Sequence, residues 1–475
     1  MHGLHDSDNP ALAAPESGPW YKSLNRYHWF VFVVAALGWL FDTMDQQLFT
    51  LARPLAMADV VPAIVTEAPA NETEAAKQER VIADQMATKK LRGAYGGYAT
   101  SIFLLGWATG GLIFGVLGDR WGRVKTMLAT IIVYSIFTGL SATSRTIWDF
   151  CLWRFLTGLG VGGEFAVGVA LVAEVMPNHA RPHALGLLQA LSAVGNITAA
   201  LIGIAGTGWR TMFLIGTAPA LLSLFVRRRL KEPERWQAAN TGDAVAKQKG
   251  SYAELFGDPE LRYRAIVGLL LASAGVIGLW GIGFFTGDLQ REVFGPMFRA
   301  EGVAEADIEG KLRKLSGVTL LVQNIGAFFG VYSFSYVSHY LGRRPTFAIC
   351  FVGAMLATIN VFWNLGRFNG VSDIYWMVPL MGFFQLSIFG GYAIYFPELF
   401  PTRLRSTGTS FCYNVGRFVA AAGPFTLGVL IKSAYGHHEG ALPFRYAGCT
   451  MCCIFLVGLM VIPFIPETRG KPLPE

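Results

Sequence analysis

Charge is scarce in this sequence. Asp, Glu, Lys and Arg supply only 15% of its 475 residues, too few to solvate the two or three soluble domains that the length alone would suggest. Cysteine is scarce too. All six lie inside apolar segments, and although Cys449, Cys452 and Cys453 imitate a metal spacing, they read as small buried side chains. The polar first 27 residues hold no short apolar core followed by a small-residue cleavage site, so no cleaved signal peptide is expected, and no lipidation motif is evident. His179 and His183 have no histidine or cysteine partners close in sequence, so no metal and no cofactor are expected.

What the sequence has is apolar length. Hydrophobic residues make up 53% of the chain, and mean hydropathy is +0.41. Runs of roughly 20 apolar residues, enough to cross about 30 Å of hydrocarbon, recur at 28–52, 92–117, 125–143, 148–174, 183–205 and 208–226. They recur again at 263–287, 315–338, 345–366, 372–397, 406–431 and 443–464. The 55 glycines fit close helix packing in lipid. The chain thus divides into a tail (1–27), six spans (28–226) with an insertion at 53–91, a linker (227–262), six more spans (263–464) and a second tail (465–475). This predicts an all-α integral membrane fold of twelve transmembrane helices in two pseudo-symmetric six-helix bundles.

The net charge of +7 sits in short clusters between apolar runs, which points to membrane orientation and away from a nucleic-acid partner. An even number of spans puts both termini on one side. The linker, with Arg227, Arg228, Arg229, Lys231, Lys247 and Lys249, makes that side the cytoplasm of a multi-pass inner (plasma) membrane protein. In the insertion, Lys77, Arg80, Lys89 and Lys90 are interleaved with Glu67, Glu72, Glu74, Glu79 and Asp84, the composition expected of a solvated, helical outer cap.

The halves echo one another. Gly118-Asp119-Arg120-Trp121-Gly122-Arg123 follows the second span, and Ser338-His339-Tyr340-Leu341-Gly342-Arg343 follows the eighth. Ala173-Glu174-Val175-Met176-Pro177 ends the fourth span, and Pro397-Glu398-Leu399-Phe400-Pro401 ends the tenth. Repeats of this kind place a binding site near the bilayer midplane, between the halves. Gly118 and Gly122 permit a tight helix-to-helix turn, while Asp119, Arg120 and Arg123 can pair with one another or with a neighbouring helix end. Glu174 with Arg181, and Glu398 with Arg405, offer further ion pairs on the same side.

Five charged residues lie within spans, where each costs at least about 2.5 to 3.5 kcal/mol and so needs a reason. They are Asp42, Asp45, Arg154, Glu164 and Arg417. At 1.5 Å per residue, Asp42 and Glu164 lie roughly 20 Å into their spans and Arg417 about 16 Å, all near the midplane. Asp42, Asp45 and Gln46 share one helical face. A carboxyl group withdrawn from water resists ionisation and a nearby arginine favours it, a combination that makes a proton switch. Asp42, Asp45 and Glu164 are therefore the candidates for proton coupling, and Arg417 for a two-point grip on an anionic substrate. Arg154, nearer the outer surface, reads as structural. Gln46, Gln189, Asn196, Trp280, Phe284, Gln323, Asn324, Gln385, Tyr392 and Asn414 are candidates to line the cavity.

The Gly118–Arg123 segment resembles the signature loop of the major facilitator superfamily. Arg154 to Glu164, Pro397-Glu398-Leu399-Phe400-Pro401-Thr402-Arg403 and Pro466-Glu467-Thr468-Arg469-Gly470 look like motifs of its sugar, phosphate and organic-acid branches. The resemblance implies a monomeric secondary transporter with a gating role for Asp119. Within the superfamily the chain looks most like the bacterial carboxylate and aromatic-acid proton symporters, on Phe41-Asp42-Thr43-Met44-Asp45, Gly162-Gly163-Glu164, Gly416-Arg417 and Gly423-Pro424. Those symporters carry a glycine where Phe41 stands. A sugar or polyol porter is the alternative, since Gln189 matches a sugar-binding glutamine, but the seventh span reads Ala274 to Trp280 without that branch's glutamine pair and asparagine. A transporter-like solute sensor is a remoter reading, as no long output domain is present. An enzyme is excluded because no nucleophile constellation accompanies the midplane acids.

Overall fold

The computed structural model describes residues 19–67, 73–218, 230–238, 249–420 and 423–474. All regular structure among them is helical. The first half comprises α1 (Arg26–Val60), α2 (Glu74–Arg120), α3 (Arg123–Ser141), α4 (Ile147–Val175), α5 (Arg181–Ile204) and α6 (Trp209–Ile215). Two short linker helices, α7 (Glu234–Ala238) and α8 (Tyr252–Gly257), lead to α9 (Pro259–Ile277), α10 (Thr286–Ala300), α11 (Glu305–Leu341), α12 (Arg343–Asn364) and α13 (Ile374–Leu399). The chain ends with α14 (Arg405–Ala420), α15 (Gly423–Val429), α16 (Leu442–Met451) and α17 (Ile454–Val461).

Ten helical segments among the described residues are long and apolar enough to cross a membrane. The sixth expected span is described only from Trp209 to Ile215 and its following turn, and the eleventh is α14 with α15. Arg227, Arg228, Arg229 and Lys247 lie outside the described residues, as does the Phe284 side chain.

The insertion is in part an outward extension of the second span. Thr73 caps α2 by accepting from the Ala76 amide at 3.3 Å, and the 47-residue helix is roughly 70 Å long at 1.5 Å per residue, so its first turns must stand clear of the bilayer. The chain at 62–67 is non-helical and is tied back where Asp84 accepts from the Thr66 amide at 2.9 Å and hydroxyl at 2.6 Å. The seventh span also runs on further than its apolar composition suggests. It breaks into π and 3-10 turns over Gly278–Phe285 and resumes as α10.

The two halves pack by one rule. α1 pairs with α5 as α9 pairs with α14; α2 and α3 pack on α4 as α11 and α12 pack on α13; between halves, α2 crosses α14 and α5 crosses α11. Glycines permit the closest crossings. A Cβ at Gly110 would strike the Leu159 carbonyl of α4, and one at Gly330 the Phe383 carbonyl of α13. Without a hydrophobic drive between helices in lipid, such close backbone contact supplies the attraction. The ends of the described chain and the linker share one face, here the linker face; the insertion lies on the opposite, vestibule face.

Candidate functional site

Asp42, Asp45, Arg154, Glu164 and Arg417 are all fully or almost fully buried, at 0–2% exposure. They stand on α1, α4 and α14. Gly38 of α1 leaves the space that the Glu164 carboxylate occupies, since a Cβ there would meet its Oε1. Neither Glu164 oxygen has a hydrogen-bond partner among the described residues, and Asp42 has one, Gln46 Nε2 at 3.3 Å. Asp42 lies in the electrostatic field of Glu164, Asp45 and Arg417. Such an arrangement suits carboxyl groups that exchange a proton, because among the described residues only one long hydrogen bond to Asp42 and none to Glu164 holds them in one form.

Arg417, on α14, lies within electrostatic reach of Asp42. Its Nη1 donates to the Tyr413 carbonyl at 2.8 Å and to Asn414 Oδ1 at 3.0 Å. The guanidinium stacks over Trp107 at 4.0 Å and Tyr413 at 4.2 Å, and its Nε has no partner among the described residues. Aromatic faces and neutral acceptors orient this cation without neutralising it. Asp45 belongs elsewhere. It sits 3.7 Å from Arg154, whose guanidinium is fixed by Ser141 and Thr157 hydroxyls and by the Phe213 ring.

The remaining candidates are spread across the helices. Gln189 is buried with its Oε1 unpartnered, and Trp280 stands edge-on to Trp107 at 5.9 Å. Asn324 accepts from Asn196 at 2.9 Å, joining α11 to α5. Gln385 donates to Thr358 at 2.7 Å within the second half. Tyr392 donates to the Leu271 carbonyl at 2.6 Å and stacks on Phe396, so it is committed to packing α13 on α9. Gln323 is half-buried on α11, and Asn414 serves Arg417.

Above the cluster a vestibule of about 1040 Å³ opens on the face of the insertion. Arg53, Arg92, Asp288 and Ile64 are among its walls, as are Trp280, whose ring meets that of Trp107, and Ala420, one turn along α14 from Arg417.

The linker face is closed. Asp119 accepts from the Ser406 and Thr407 amides at 3.1 and 2.8 Å and from the Thr407 hydroxyl at 2.6 Å, so a carboxylate of α2 caps the N-terminus of α14 across the halves. Arg123 pairs with Asp119 and, at 2.8 Å, with Glu174, and donates to the Thr402 carbonyl. Two expected pairings change. Glu174 pairs with Arg405 of the other half at 2.8 Å, while Arg181 turns to the Ala173 carbonyl and Asn178. Glu398 pairs with Arg343 at 2.8 Å, not with Arg405. Both shifts follow from the repeat, because Arg181 and Arg405 each donate Nε to a carbonyl eight residues back, which swings the guanidinium away from its own half's acid. Arg120 pairs with no acid among the described residues and donates to the Lys249 carbonyl.

Sequence reasoning missed the acids that cap the third and ninth expected spans. Glu232 accepts from the Val124 and Lys125 amides, and Glu467 from those of Arg343 and Arg344. Gly122 and Gly342 sit at the same turn in each half, with φ of 116° and 94°. Burial pushes Glu232 above the usual carboxylate range; Glu467 is also desolvated, yet amides of Arg343, Arg344 and Arg469 hold it below that range. The recurring Glu beside Pro after each half's last span, Glu232-Pro233 and Pro466-Glu467, is the signal that could have found them. Trp107 was missed as well, since nothing distinguishes it from a packing aromatic until Arg417 is placed on its face.

Comparison with known proteins agrees with this architecture. The chain is 30% identical over 389 residues to the cis,cis-muconate transport protein of Acinetobacter baylyi, covering 79% of this chain and 86% of that one. It is 24% identical to the niacin transporter NiaP of the same organism, with 95% and 96% covered. Its fold matches the proton:xylose symporter XylE with a TM-score of 0.64, at 18% identity over 94% of this chain and 98% of the other. The family model of the Major Facilitator Superfamily matches residues 29–424, and the chain is a member of that superfamily, a multi-pass membrane transporter and not an enzyme.

Proposed function

We propose that this chain takes up a small organic anion, a carboxylate or aromatic acid, together with a proton, by alternating access in the inner membrane, with both termini and the linker in the cytoplasm. The observation that carries this reading is the buried pairing of unlike needs. Glu164 and Asp42 present carboxyl oxygens without partners, and Arg417 presents an unneutralised guanidinium in the same core. The muconate and niacin relatives, named for small carboxylic acids, support the substrate class.

In this scheme the structure corresponds to the outward-facing state, with the vestibule open and the Asp119, Glu174 and Arg405 contacts closed. An anion descends past Trp280 and Trp107 to Arg417, which binds it in a two-point hydrogen bond. Asp42 or Glu164 carries the proton. Bundles 28–226 and 263–464 then rock, the linker-face contacts break, and loss of the proton inside restores a carboxylate that competes for Arg417 and expels the substrate.

Uptake into proteoliposomes tests this directly, with a panel of mono- and dicarboxylates, aromatic acids, hexoses and polyols, with and without an inward proton gradient. Gradient-stimulated uptake of an acid is expected. A second reading, a sugar or polyol porter, is favoured by Gln189 with its unpartnered Oε1; gradient-independent hexose uptake with no acid transported would install it instead.

A further inference from the structure

The vestibule has its own charge pattern. Arg53 of α1 lies flat over Gly96 of α2, where a Cβ would stand 3.6 Å from its Cδ, and donates to Thr100 Oγ1 at 2.6 Å. Arg92 donates Nε to the Val61 carbonyl at 3.1 Å. Arg92, Gly96 and Thr100 are spaced by four, so they form one stripe along α2, and Gly96 is the gap that lets the two arginines share a wall. Among the described residues neither has a carboxylate within ion-pairing distance. The other vestibule charges are accounted for. Arg80 pairs with Asp84 at 3.8 Å, and Asp288 stands on α10, close enough for its field to reach Arg53 without an ion pair.

We propose that Arg53 and Arg92 form an outer binding site for the carboxylate of an incoming small organic acid, distinct from Arg417 and occupied before it. Apolar walls from Met57, Ile64, Val65 and Val81 cover the body of the ligand, and a volume of about 1040 Å³ is at the top of the range for ligand pockets. The site is weak by construction, since Asp288 opposes retention and the cavity is open. Its effect is to raise the local anion concentration above Trp280, from which Trp107 leads to Arg417. The insertion, 53–91, contributes Arg53 and all four of these apolar wall residues, and Arg92 follows it directly, which gives this segment a function. The inference rests on the reading that the chain carries an organic anion.

The test uses purified full-length protein with cis,cis-muconate and nicotinate as probes. Replacing both residues in Arg53→Gln/Arg92→Gln is expected to raise the KM for uptake about tenfold at low salt with little change in maximal rate, because steering by focused charge changes capture rather than chemistry. The difference shrinks above roughly 0.5 M salt, where screening shortens the Debye length to a few ångströms. Arg53→Lys/Arg92→Lys restores the wild-type KM, as charge and not fork geometry is what the outer site supplies. Should the double variant fail to fold, Val81→Glu, at a 40% exposed vestibule position, puts an opposing charge in the same space and raises KM likewise. An unchanged KM in the Gln and Val81→Glu variants, or a fall in maximal rate alone, overturns the outer site while leaving anion transport standing. A wild-type protein that neither binds nor transports either probe or any other acid of the carboxylate and aromatic-acid panel overturns both readings.

Discussion

Glu174 and Arg405 lie 2.8 Å apart although they are 231 positions apart in sequence, both fully desolvated. Glu174 also receives Arg123 of its own half, so one carboxylate is shared by two cations from two halves. Since Asp119 caps α14 beside it, the linker face is shut by contacts that are good only in this arrangement. Removing one partner of a buried pair leaves the other charge uncompensated, a loss of about 3 to 5 kcal/mol where the site stays dry.

Glu174→Gln is therefore expected to shift the protein towards the linker-face-open state. Hydrogen exchange should rise in segments 115–120 and 405–411, on both sides of the α2 and α14 crossing, while α12 stays protected. Unchanged exchange at both crossing segments would show that the Asp119 cap alone holds the face closed.

Arg417→Lys is expected to weaken substrate binding at least about tenfold, because an ammonium cannot supply a planar fork and stacks less well on Trp107 and Tyr413. Direct binding of a transported acid to purified protein measures it. Near-normal affinity would assign Arg417 to packing α14.

Asp42→Asn and Glu164→Gln separate coupling from movement. If either carboxyl carries the proton, its amide variant loses gradient-driven accumulation but still exchanges preloaded for external substrate. Retained accumulation in both would remove them from the coupling role. Asp45→Asn acts differently, since Arg154 loses its ion pair, and is expected to lower thermal stability first.

The all-helical membrane fold and the buried charges were legible in the sequence because lipid imposes length and apolarity on every span, so Asp42, Glu164 and Arg417 stand out against their neighbours. Pairing was not legible. Arg405 and Arg181 occupy equivalent places in sequence and each donates Nε to the carbonyl eight residues back, yet Arg405 Nη1 reaches Glu174 of the other half while Arg181 Nη2 turns to Asn178, a difference set by how the halves meet. The outward run of α2 was partly legible from charge interleaving, and its continuity with the span was legible too, because no Gly or Pro separates Glu74 from Leu91, but an apolarity count starts the span only where the charges end.

Gly342→Ala tests whether the repeated turn is required for its backbone or for its acid cap. Gly342 has φ of 94°, a region an L side chain enters at a cost of order 1 to 3 kcal/mol, and a new Cβ would stand 2.9 Å from Glu467 Oε2. A clash with the end of a flexible carboxylate can relax, whereas the backbone angle is fixed by the entry into α12 and by the Arg343 and Arg344 amides pointing at Glu467. The variant is accordingly expected to melt at lower temperature in detergent, and adding Glu467→Ala should lower it again by removing the cap. Recovery of the wild-type melting temperature in the double variant would mean that the clash, and not the left-handed turn, was the whole cost. The same pair of changes at Gly122 and Glu232 should behave alike, since turn and cap are repeated there.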